Sequence, residues 1–328
     1  MKIDFHNHFY PKEYLKAIKR LKGLNVTKDA YGRIVVEDRG ARFLTITKPM
    51  YEPEIRIKDM DEAGVDVQIL SLSAPNVYFA SIEDSIKLAK LTNNIIAKVV
   101  EKYANRFMAF ASLPLLDVDA SLEEAERAIN ELGMNGFIIG SNIGGKNLDD
   151  PSLMPLYEKV SKLDVPIFIH PMVPQYSEVM KEYRLVPIIG FEFDISLAAV
   201  RLVFSGILEK YPNLKVIVSH LGGAIPYLWE RIENGYRAFP ECKEKISKPP
   251  SFYLKKLYYD TVSFHKPALI CAYMTAGANQ LVLGSDYPHV IGDLKRSVTS
   301  IEELDLPPEE KEKIFYRNAQ ELLKRSLR

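Results

Sequence analysis

The sequence of 328 residues lacks the features of secreted, membrane-spanning or nucleic-acid-binding proteins. It has only two cysteines, Cys242 and Cys271, which are too few for a disulfide framework and show no CxxC spacing. Its 43 basic and 43 acidic side chains balance, so no net charge would attract a nucleic acid or an anionic membrane. No apolar run could span a bilayer, and no apolar signal segment follows Met1. We therefore expect a cytoplasmic protein without nucleic-acid or membrane partners.

Motifs for nucleotide binding are missing too. Residues 140–145 contain three glycines, but their spacing does not fit a dinucleotide fingerprint and no lysine completes a P-loop. Instead, short apolar runs alternate with amphipathic helical patterns, and Ser121 with Glu124 predicts a capping box. The helical patterns cover residues 83–103, 121–132, 152–163, 195–211 and 307–326. The runs predict strands buried on both faces at residues 3–6, 65–71, 107–113, 136–140, 165–170, 214–220, 257–261 and 280–286.

Eight such strands alternating with helices predict an α/β fold, a (β/α)8 TIM barrel, with a single domain over residues 1–328. A doubly wound open sheet is the main alternative, but no glycine-rich turn follows an early strand. An insertion, residues 9–58, interrupts the alternation after the first strand. Within it, residues 34–37 and 42–46 predict a small β-hairpin. We expect this insertion to lie over the carboxyl-terminal mouth of the barrel.

Polar side chains that can bind metals stand at the ends of several predicted strands. His6 and His8 close the first strand, and their spacing places both imidazoles on one face. His170 ends the fifth strand, His220 the sixth and Asp286 the eighth. In a barrel these ends meet at one face, where imidazoles and a carboxylate suit Zn²⁺, or Mn²⁺, Co²⁺ or Fe²⁺. Taken alone, each histidine could be a hydrogen-bonded core residue, and Asp286 could be a helix N-cap.

The motifs resemble those of the amidohydrolase superfamily, and within it the branch typified by 2-amino-3-carboxymuconate-6-semialdehyde decarboxylase. The matching stretches are MKIDFHNHFYPKE, YEPEIRIKDMDEAGVDVQILS, IFIHP, YPNLKVIVSHLGGAIPYLWERI and LVLGSDYPH. The resemblance covers almost the whole chain. It implies that His6, His8, His170 and Asp286 are the metal ligands, and that His220 is a catalytic acid/base beside the metal. Asp286 would also orient the metal-bound water, which makes it catalytic as well.

The resemblance also concerns substrate binding and assembly. Arg231 matches an arginine that reaches a neighbouring subunit's site, so a homodimer is implied. Two positions depart from the branch. Leu44 stands where the decarboxylase carries a carboxylate-binding arginine, with Arg42 and Lys48 near it, and Met172 stands where it has tryptophan.

Two further histidines lie outside the predicted ligand set. His289 differs from the decarboxylase's residue and would either line the substrate pocket or cap the following helix. His265 matches a family histidine, for which we expect a structural hydrogen bond.

The fourth predicted strand lacks the lysine that two-metal members of the superfamily usually carry, so we expect one divalent metal. Zn²⁺ is the first candidate for this metal, ahead of Mn²⁺, Co²⁺ and Fe²⁺. The reaction that the resemblance favours is nonoxidative decarboxylation of a small unsaturated or aromatic carboxylic acid. The alternatives are hydrolysis of a lactone, ester or C–C bond, or hydration of an unsaturated acid. A noncatalytic barrel with a structural metal is a third possibility, against which the intact His220 argues.

Overall fold

The structure is a computed structural model that describes residues 1–323. Its strands are β1 (Ile3–His8), β2 (Asn25–Lys28), β3 (Ile34–Asp38), β4 (Ala41–Thr45), β5 (Val67–Ser71), β6 (Phe107–Ala109), β7 (Ala111–Ser112), β8 (Phe137–Gly140), β9 (Asn142–Ile143), β10 (Lys146–Asn147), β11 (Ile167–His170), β12 (Val216–Val218), β13 (Tyr258–Asp260) and β14 (Leu281–Val282). Every predicted barrel strand has a counterpart among them.

The central strands form a closed parallel barrel. The order is β1, β5, β6 with β7, β8, β11, β12, β13 and β14, and the pairs within it are parallel. Strands β6 and β7 together occupy one barrel position, since β6 pairs with β5 and β7 with β8. Closure occurs beyond β14, where the amides of Ser285 and Asp286 donate to the carbonyl of His6. These pairings confirm the TIM barrel and exclude the open sheet.

Aromatic side chains fill the middle of the barrel. Phe5 and Phe110 meet edge to face with their centroids 5.7 Å apart, and Phe110 stacks on Phe168 at 6.2 Å. All three are buried. The ring of His6 stands edge-on to Phe168 at 5.0 Å. The histidines at the strand ends therefore rest on a tightly packed apolar layer, which limits their movement.

The helices occupy the connections that the sequence predicts, with shifted ends. The α-helices are α1 (Lys12–Ile18), α2 (Pro53–Ala63), α3 (Ile82–Lys102), α4 (Val118–Asn130), α5 (Met154–Leu163), α6 (Phe191–Phe204), α7 (Ile207–Lys210), α8 (Ile225–Ala238), α9 (Pro250–Leu254), α10 (Lys266–Ala276), α11 (Leu294–Glu302), α12 (Pro308–Glu312) and α13 (Asn318–Leu323). A π-helical turn, Lys313–Arg317, joins α12 to α13. The last three residues of the predicted helix 307–326 lie outside the described residues.

Two details of the helical prediction were wrong. The cap of α4 is Asp117, whose carboxylate accepts from the amide of Ala120 at 2.9 Å, whereas Ser121 lies inside the helix. Its hydroxyl donates to the carbonyl of Asp117 instead of capping. The predicted helix 195–211 begins earlier and breaks at Gly206, which has a φ of 77°. A side chain there would meet the carbonyl of Lys245 at 2.4 Å, so glycine is required.

The segment after β1 adds a small unit of its own. Strands β3 and β4 pair antiparallel, as the hairpin prediction expects, and β2 adds a third strand that the prediction missed. The helix α1 precedes this sheet. The predicted boundary at residue 58 falls inside α2, so the added elements end before Pro53. No helix of residues 1–323 is long and apolar enough to cross a membrane.

Candidate metal centre

Four histidines and one aspartate converge at the carboxyl ends of the barrel strands. The ring centroids of His6 and His8 are 4.9 Å apart, and His170 lies 5.3 Å from His6 and 4.5 Å from His8. Oδ1 of Asp286 is 3.2 Å from Nε2 of His6 and 3.3 Å from Nε2 of His8. The four predicted ligands therefore come together, although they span nearly the whole sequence.

The outer nitrogen of each predicted ligand histidine is held by a hydrogen bond. Nδ1 of His6 bonds Asp260 Oδ2 at 2.6 Å, Nδ1 of His8 meets Ser71 Oγ at 3.2 Å, and Nδ1 of His170 meets the carbonyl of Pro171 at 2.9 Å. These contacts turn every Nε2 towards the common centre. The three Nε2 atoms and Oδ1 of Asp286 are buried without a hydrogen-bond partner in the described structure.

Such unpaired buried atoms are what a metal ion would satisfy. A buried polar atom without a partner is costly, and metal-ligating histidines characteristically place the second ring nitrogen on a carboxylate, carbonyl or hydroxyl. Three imidazole nitrogens and one carboxylate oxygen form a donor set suited to Zn²⁺ and neighbouring divalent ions. The residues present therefore fit a divalent metal.

The charge states also suit metal binding. Burial holds the pKa of His8 and of His170 well below 6.5, so both are neutral ligands at neutral pH. Burial would raise the pKa of Asp286, but the surrounding histidines outweigh it and hold that pKa well below 3.8. Burial lowers the pKa of His6, but the carboxylate of Asp260 outweighs the effect of burial and raises this pKa to about 10. A metal at Nε2 of His6 would therefore replace a proton.

His220 stands beside the same centre. Its Nε2 is buried and unpaired, and its ring lies 5.0 Å from that of His6. Ligand atoms of His6, His170, His220 and Asp286 all lie within 4.8 Å of one another, whereas His8 forms such a group with Asp286 and His289. His220 is therefore as close to His6, His170 and Asp286 as these three predicted ligands are to one another. Its assignment as acid/base rather than ligand remains a prediction.

Glu192, which was not among the predicted site residues, orients His220. Its carboxylate lies 2.6 Å from Nδ1 of His220. Burial lowers the pKa of His220, but Glu192 outweighs that effect and keeps the pKa above 6.5. The backbone of His220 has a φ of 54°, and its amide donates to Asp260 Oδ1 at 2.9 Å. Glu192 lies in the first turn of α6, far from His220 in sequence, and no spacing rule connects the two.

Two more buried residues support the site without having been predicted as site residues. Arg56 donates to the carbonyl of His8 at 2.5 Å, and its guanidinium lies 4.8 Å from the centre of the Tyr287 ring. Asp4 accepts hydrogen bonds from Ser285 Oγ at 2.6 Å and Gln68 Nε2 at 2.8 Å, which ties β1 to both neighbouring strands. Asp260, at the end of β13, follows the same strand-end rule as the ligands and could have been found by it.

The residues predicted to bind substrate lie in different places. His289 lines the cavity at the metal centre, with its ring 5.0 Å from His8 and its Nε2 3.0 Å from Ser73 Oγ. Met172 does not line this cavity, because its side chain packs over Gly140 and faces a separate pocket. Arg231 is exposed on α8, and its side chain has no hydrogen bond or ion pair within residues 1–323. His265 is also exposed, and its side chain makes no hydrogen bond within the described part of the chain, so the expected structural bond is not found there.

The cavity above the centre measures about 310 Å³ and has mostly apolar walls. Its lining includes His170, His220, Asp286 and His289 of the metal centre, and two arginines, Arg33 and Arg184. The walls between them are Phe43, Leu44, Thr45, Ser73, Ala74, Tyr183, Pro187, Ile188, Phe191, Val290 and Ile291. The size and the apolar walls suit a small, flat organic molecule.

Comparison with known proteins gives a consistent result. The family model described as "Amidohydrolase" matches residues 3–325. A 2-amino-3-carboxymuconate-6-semialdehyde decarboxylase from Dictyostelium discoideum is 35% identical over 303 residues, which cover 90% of this chain and 83% of the relative. A gamma-resorcylate decarboxylase from Polaromonas sp. is 32% identical, covering 82% of this chain and 86% of the relative.

A solved structure extends the similarity to the fold. The dihydroxybenzoic acid decarboxylase of Polaromonas sp. JS666, with bound manganese and the inhibitor 2-nitroresorcinol, superposes with a TM-score of 0.83. It is 25% identical and the match covers 99% of this chain and 98% of that one.

Proposed function

Because this chain belongs to the amidohydrolase family, we propose that it is a metal-dependent nonoxidative decarboxylase of a small unsaturated or aromatic carboxylic acid. Fold alone does not fix a reaction, so the proposal depends on the site. One observation carries it: Nε2 of His220 is buried, unpaired and directed to the same centre as the predicted ligands. The apolar cavity above that centre has room for one small acid.

The residues of the chain would divide the work as follows. His6, His8, His170 and Asp286 would hold one divalent metal, which supplies polarisation of substrate oxygens and a lowered pKa for bound water. Protonated His220 would give its Nε2 proton to the carbon that bears the carboxylate. The carbon–carboxylate bond would then break, its electron pair would restore conjugation, and CO₂ would leave. Glu192 would keep His220 oriented, and solvent would return the proton.

We propose Zn²⁺ as the first candidate for the metal, with Mn²⁺, Co²⁺ and Fe²⁺ as alternatives. The set of three nitrogens and one oxygen supports zinc. A relative's structure contains manganese, which supports Mn²⁺ equally well. Metal analysis of protein purified without added metal, followed by reconstitution of chelated protein with each ion, distinguishes them. One equivalent per chain is expected, because the fourth barrel strand supplies no lysine to bridge a second ion.

We propose a homodimer in which Arg231 enters the partner's site and binds the substrate carboxylate, together with His289 of the site's own subunit; Met172, which lies outside this cavity, is not part of the proposal. Two features support the dimer: Arg231 makes no ion pair within residues 1–323, and the apolar side chains of Phe193, Leu197 and Tyr227 are exposed. A mixture of Arg231→Ala and His220→Asn proteins should regain activity through mixed dimers. A monomer by light scattering, or a mixture that regains no activity, contradicts this arrangement.

We also propose a cytoplasmic location, with both cysteines free.

Release of CO₂ from a panel of hydroxybenzoates and unsaturated acids tests the proposed reaction. We expect the metal-loaded protein to release CO₂ from at least one acid, and His220→Asn to lower kcat by about 10² to 10⁴ while retaining the metal. The variant Glu241→Gln, which changes an exposed carboxylate far from the cavity lining, serves as the control and should leave kcat unchanged. Turnover of lactones or esters without CO₂ release from any acid would favour the hydrolase instead.

A further inference from the structure

The lining of the cavity contains two arginines besides the residues of the metal centre. Arg184 and Arg33 both line it, and Arg42 lies close enough to Arg184 to interact with it electrostatically. Arg33 pairs with Asp29 at 2.7 Å, and Arg42 pairs with Glu37 at 2.7 Å. These are the charged groups that face Arg184 from the insertion.

Arg184 itself has no such partner. Within residues 1–323 its side chain makes no hydrogen bond and no ion pair, although the residue is only partly exposed. Burial lowers its pKa, and the Arg42 guanidinium lowers it further. Arg184, Arg33 and Arg42 carry three positive charges, and Asp29 and Glu37 carry two negative ones, so one positive charge in the lining of this mostly apolar cavity is not compensated. Holding a cation there without a partner is unfavourable, and an anionic ligand would relieve it.

The backbone presents this side chain in an unusual way. Tyr183 and Arg184 are consecutive non-glycine residues in the left-handed region, with φ values of 53° and 59°. Each such residue costs about 1 kcal/mol, and strain of this kind concentrates at ligand-binding sites. Both side chains line the cavity. Leu44, which stands where the related decarboxylase carries its insertion arginine, forms part of the apolar wall.

We propose that Arg184 is a specificity-determining residue that binds a second carboxylate of the substrate, at the end remote from the metal. The substrate would then be a dicarboxylic acid with a flat apolar middle, which packs against walls such as Phe43 and Phe191. The proposal rests on the proposed function only for the carboxylate that lies near the metal and is lost as CO₂. Arg184 would bind a carboxylate as the insertion arginine does in the related decarboxylase. It does so from a different position, because Leu44 stands where that arginine would be. The guanidinium fork suits this role because it binds a carboxylate bidentately.

Calorimetric titration of metal-loaded protein with benzoate, isophthalate and terephthalate tests the proposal. We expect wild-type protein to bind at least one dicarboxylate roughly 10-fold tighter than benzoate, or about 1.4 kcal/mol, because the second carboxylate gains a charge-assisted bidentate contact. In Arg184→Met the preference should fall to near one, and in Arg184→Lys it should be partly retained. The control is Lys181→Met, which removes the same charge three residues away and outside the cavity lining.

Arg184→Gln provides a second uncharged variant if the methionine protein does not fold. A wild-type protein that prefers neither dicarboxylate, or a preference that survives in both uncharged variants, overturns the proposal. Because binding is measured without turnover, failure of the decarboxylase assignment would be seen separately. A protein that releases no CO₂ but loses its dicarboxylate preference with Arg184 would disprove the reaction and support the anion site.

Discussion

At the scale of single residues, the site depends on side chains that hydrogen-bond to the predicted ligands and to His220. Asp260 bonds Nδ1 of His6 through one oxygen and the amide of His220 through the other. It therefore fixes both a ligand and the proposed acid. Glu192 acts on His220 alone. Neither residue touches the cavity, so variants of either should separate positioning from binding.

Asp260→Asn should weaken metal binding by about 10- to 100-fold, which is the usual effect of removing an outer-shell carboxylate. The amide cannot stabilise positive charge on the His6 ring as the carboxylate does. Competition with a chromogenic chelator measures the affinity. Ser71→Ala, which removes the longer neutral contact of 3.2 Å to His8, should weaken binding less. Equal losses in the two variants would contradict this ranking.

Glu192→Gln should shift the pH dependence of kcat. The carboxylate raises the pKa of His220, so its removal lowers that pKa. Because the proposed donor is protonated His220, activity is present below its pKa and lost above it. The basic limb of the profile should therefore move to lower pH in the variant, with KM changed less than kcat. As the control, Glu182→Gln changes an exposed glutamate ten positions before Glu192 in the sequence, and it should show the wild-type profile. An unmoved limb would indicate that Glu192 is only structural.

At the scale of elements, helix α2 supports strand β1 through one buried side chain. Arg56 is fully buried and donates to the backbone of His8, while two of its nitrogens lack partners in the described structure. Burial lowers its pKa to about 10, so it remains charged at neutral pH. The fold therefore keeps a charged side chain buried against the backbone of His8, one of the predicted ligands.

Arg56→Met should lower the free energy of unfolding by about 2–4 kcal/mol, because it removes a buried hydrogen bond and the contact with Tyr287. Urea denaturation of metal-free protein measures this. Lys58→Met lies in the same helix, on an exposed position, and should change the free energy by less than about 0.5 kcal/mol. A loss confined to metal-loaded protein would show that Arg56 acts on the metal rather than on the fold.

The elements show where sequence patterns are sufficient and where they are not. The strand-end rule places His6, His8, His170, His220 and Asp286 at one face, because parallel strands in a barrel all end there. Periodicity cannot reveal the register shift of β1 against β5 between Asp4 and Asn7, since a bulge leaves the composition unchanged. The left-handed backbone of His220 and Asp286 was equally inaccessible, because non-glycine residues adopt it only under tertiary constraint.

At the scale of the whole molecule, the barrel was predictable because each strand is buried on both faces and reads as an apolar run. The third strand of the insertion was not, since β2 carries Asn25, Thr27 and Lys28 and is only partly buried. The pairing of Glu192 with His220 and the approach of Arg184 to the insertion depend on how distant loops meet. Such contacts carry no local pattern in a single sequence.

Removal of the metal should destabilise the whole barrel, because the predicted ligands lie on strands from both ends of the chain. With free metal at 100 times the dissociation constant, binding contributes about 2.7 kcal/mol. Scanning calorimetry should show a lower Tm in chelator and recovery on adding Zn²⁺ or Mn²⁺. A His6→Ala, His8→Ala double variant should show the same Tm with and without metal. An unchanged wild-type Tm would place the ion outside the folded core.

The closure of the barrel has a consequence for synthesis. The carbonyl of His6 receives the amides of Ser285 and Asp286, so the first strand finds its last neighbour only after most of the chain has been translated. A ribosome-bound fragment would contain His6 and His8 early, but it would lack Asp286 and its barrel would not be closed. Full-affinity loading of the ion would thus be postponed until translation is nearly complete, and a truncated product would be recognisable in the cell by its failure to retain metal.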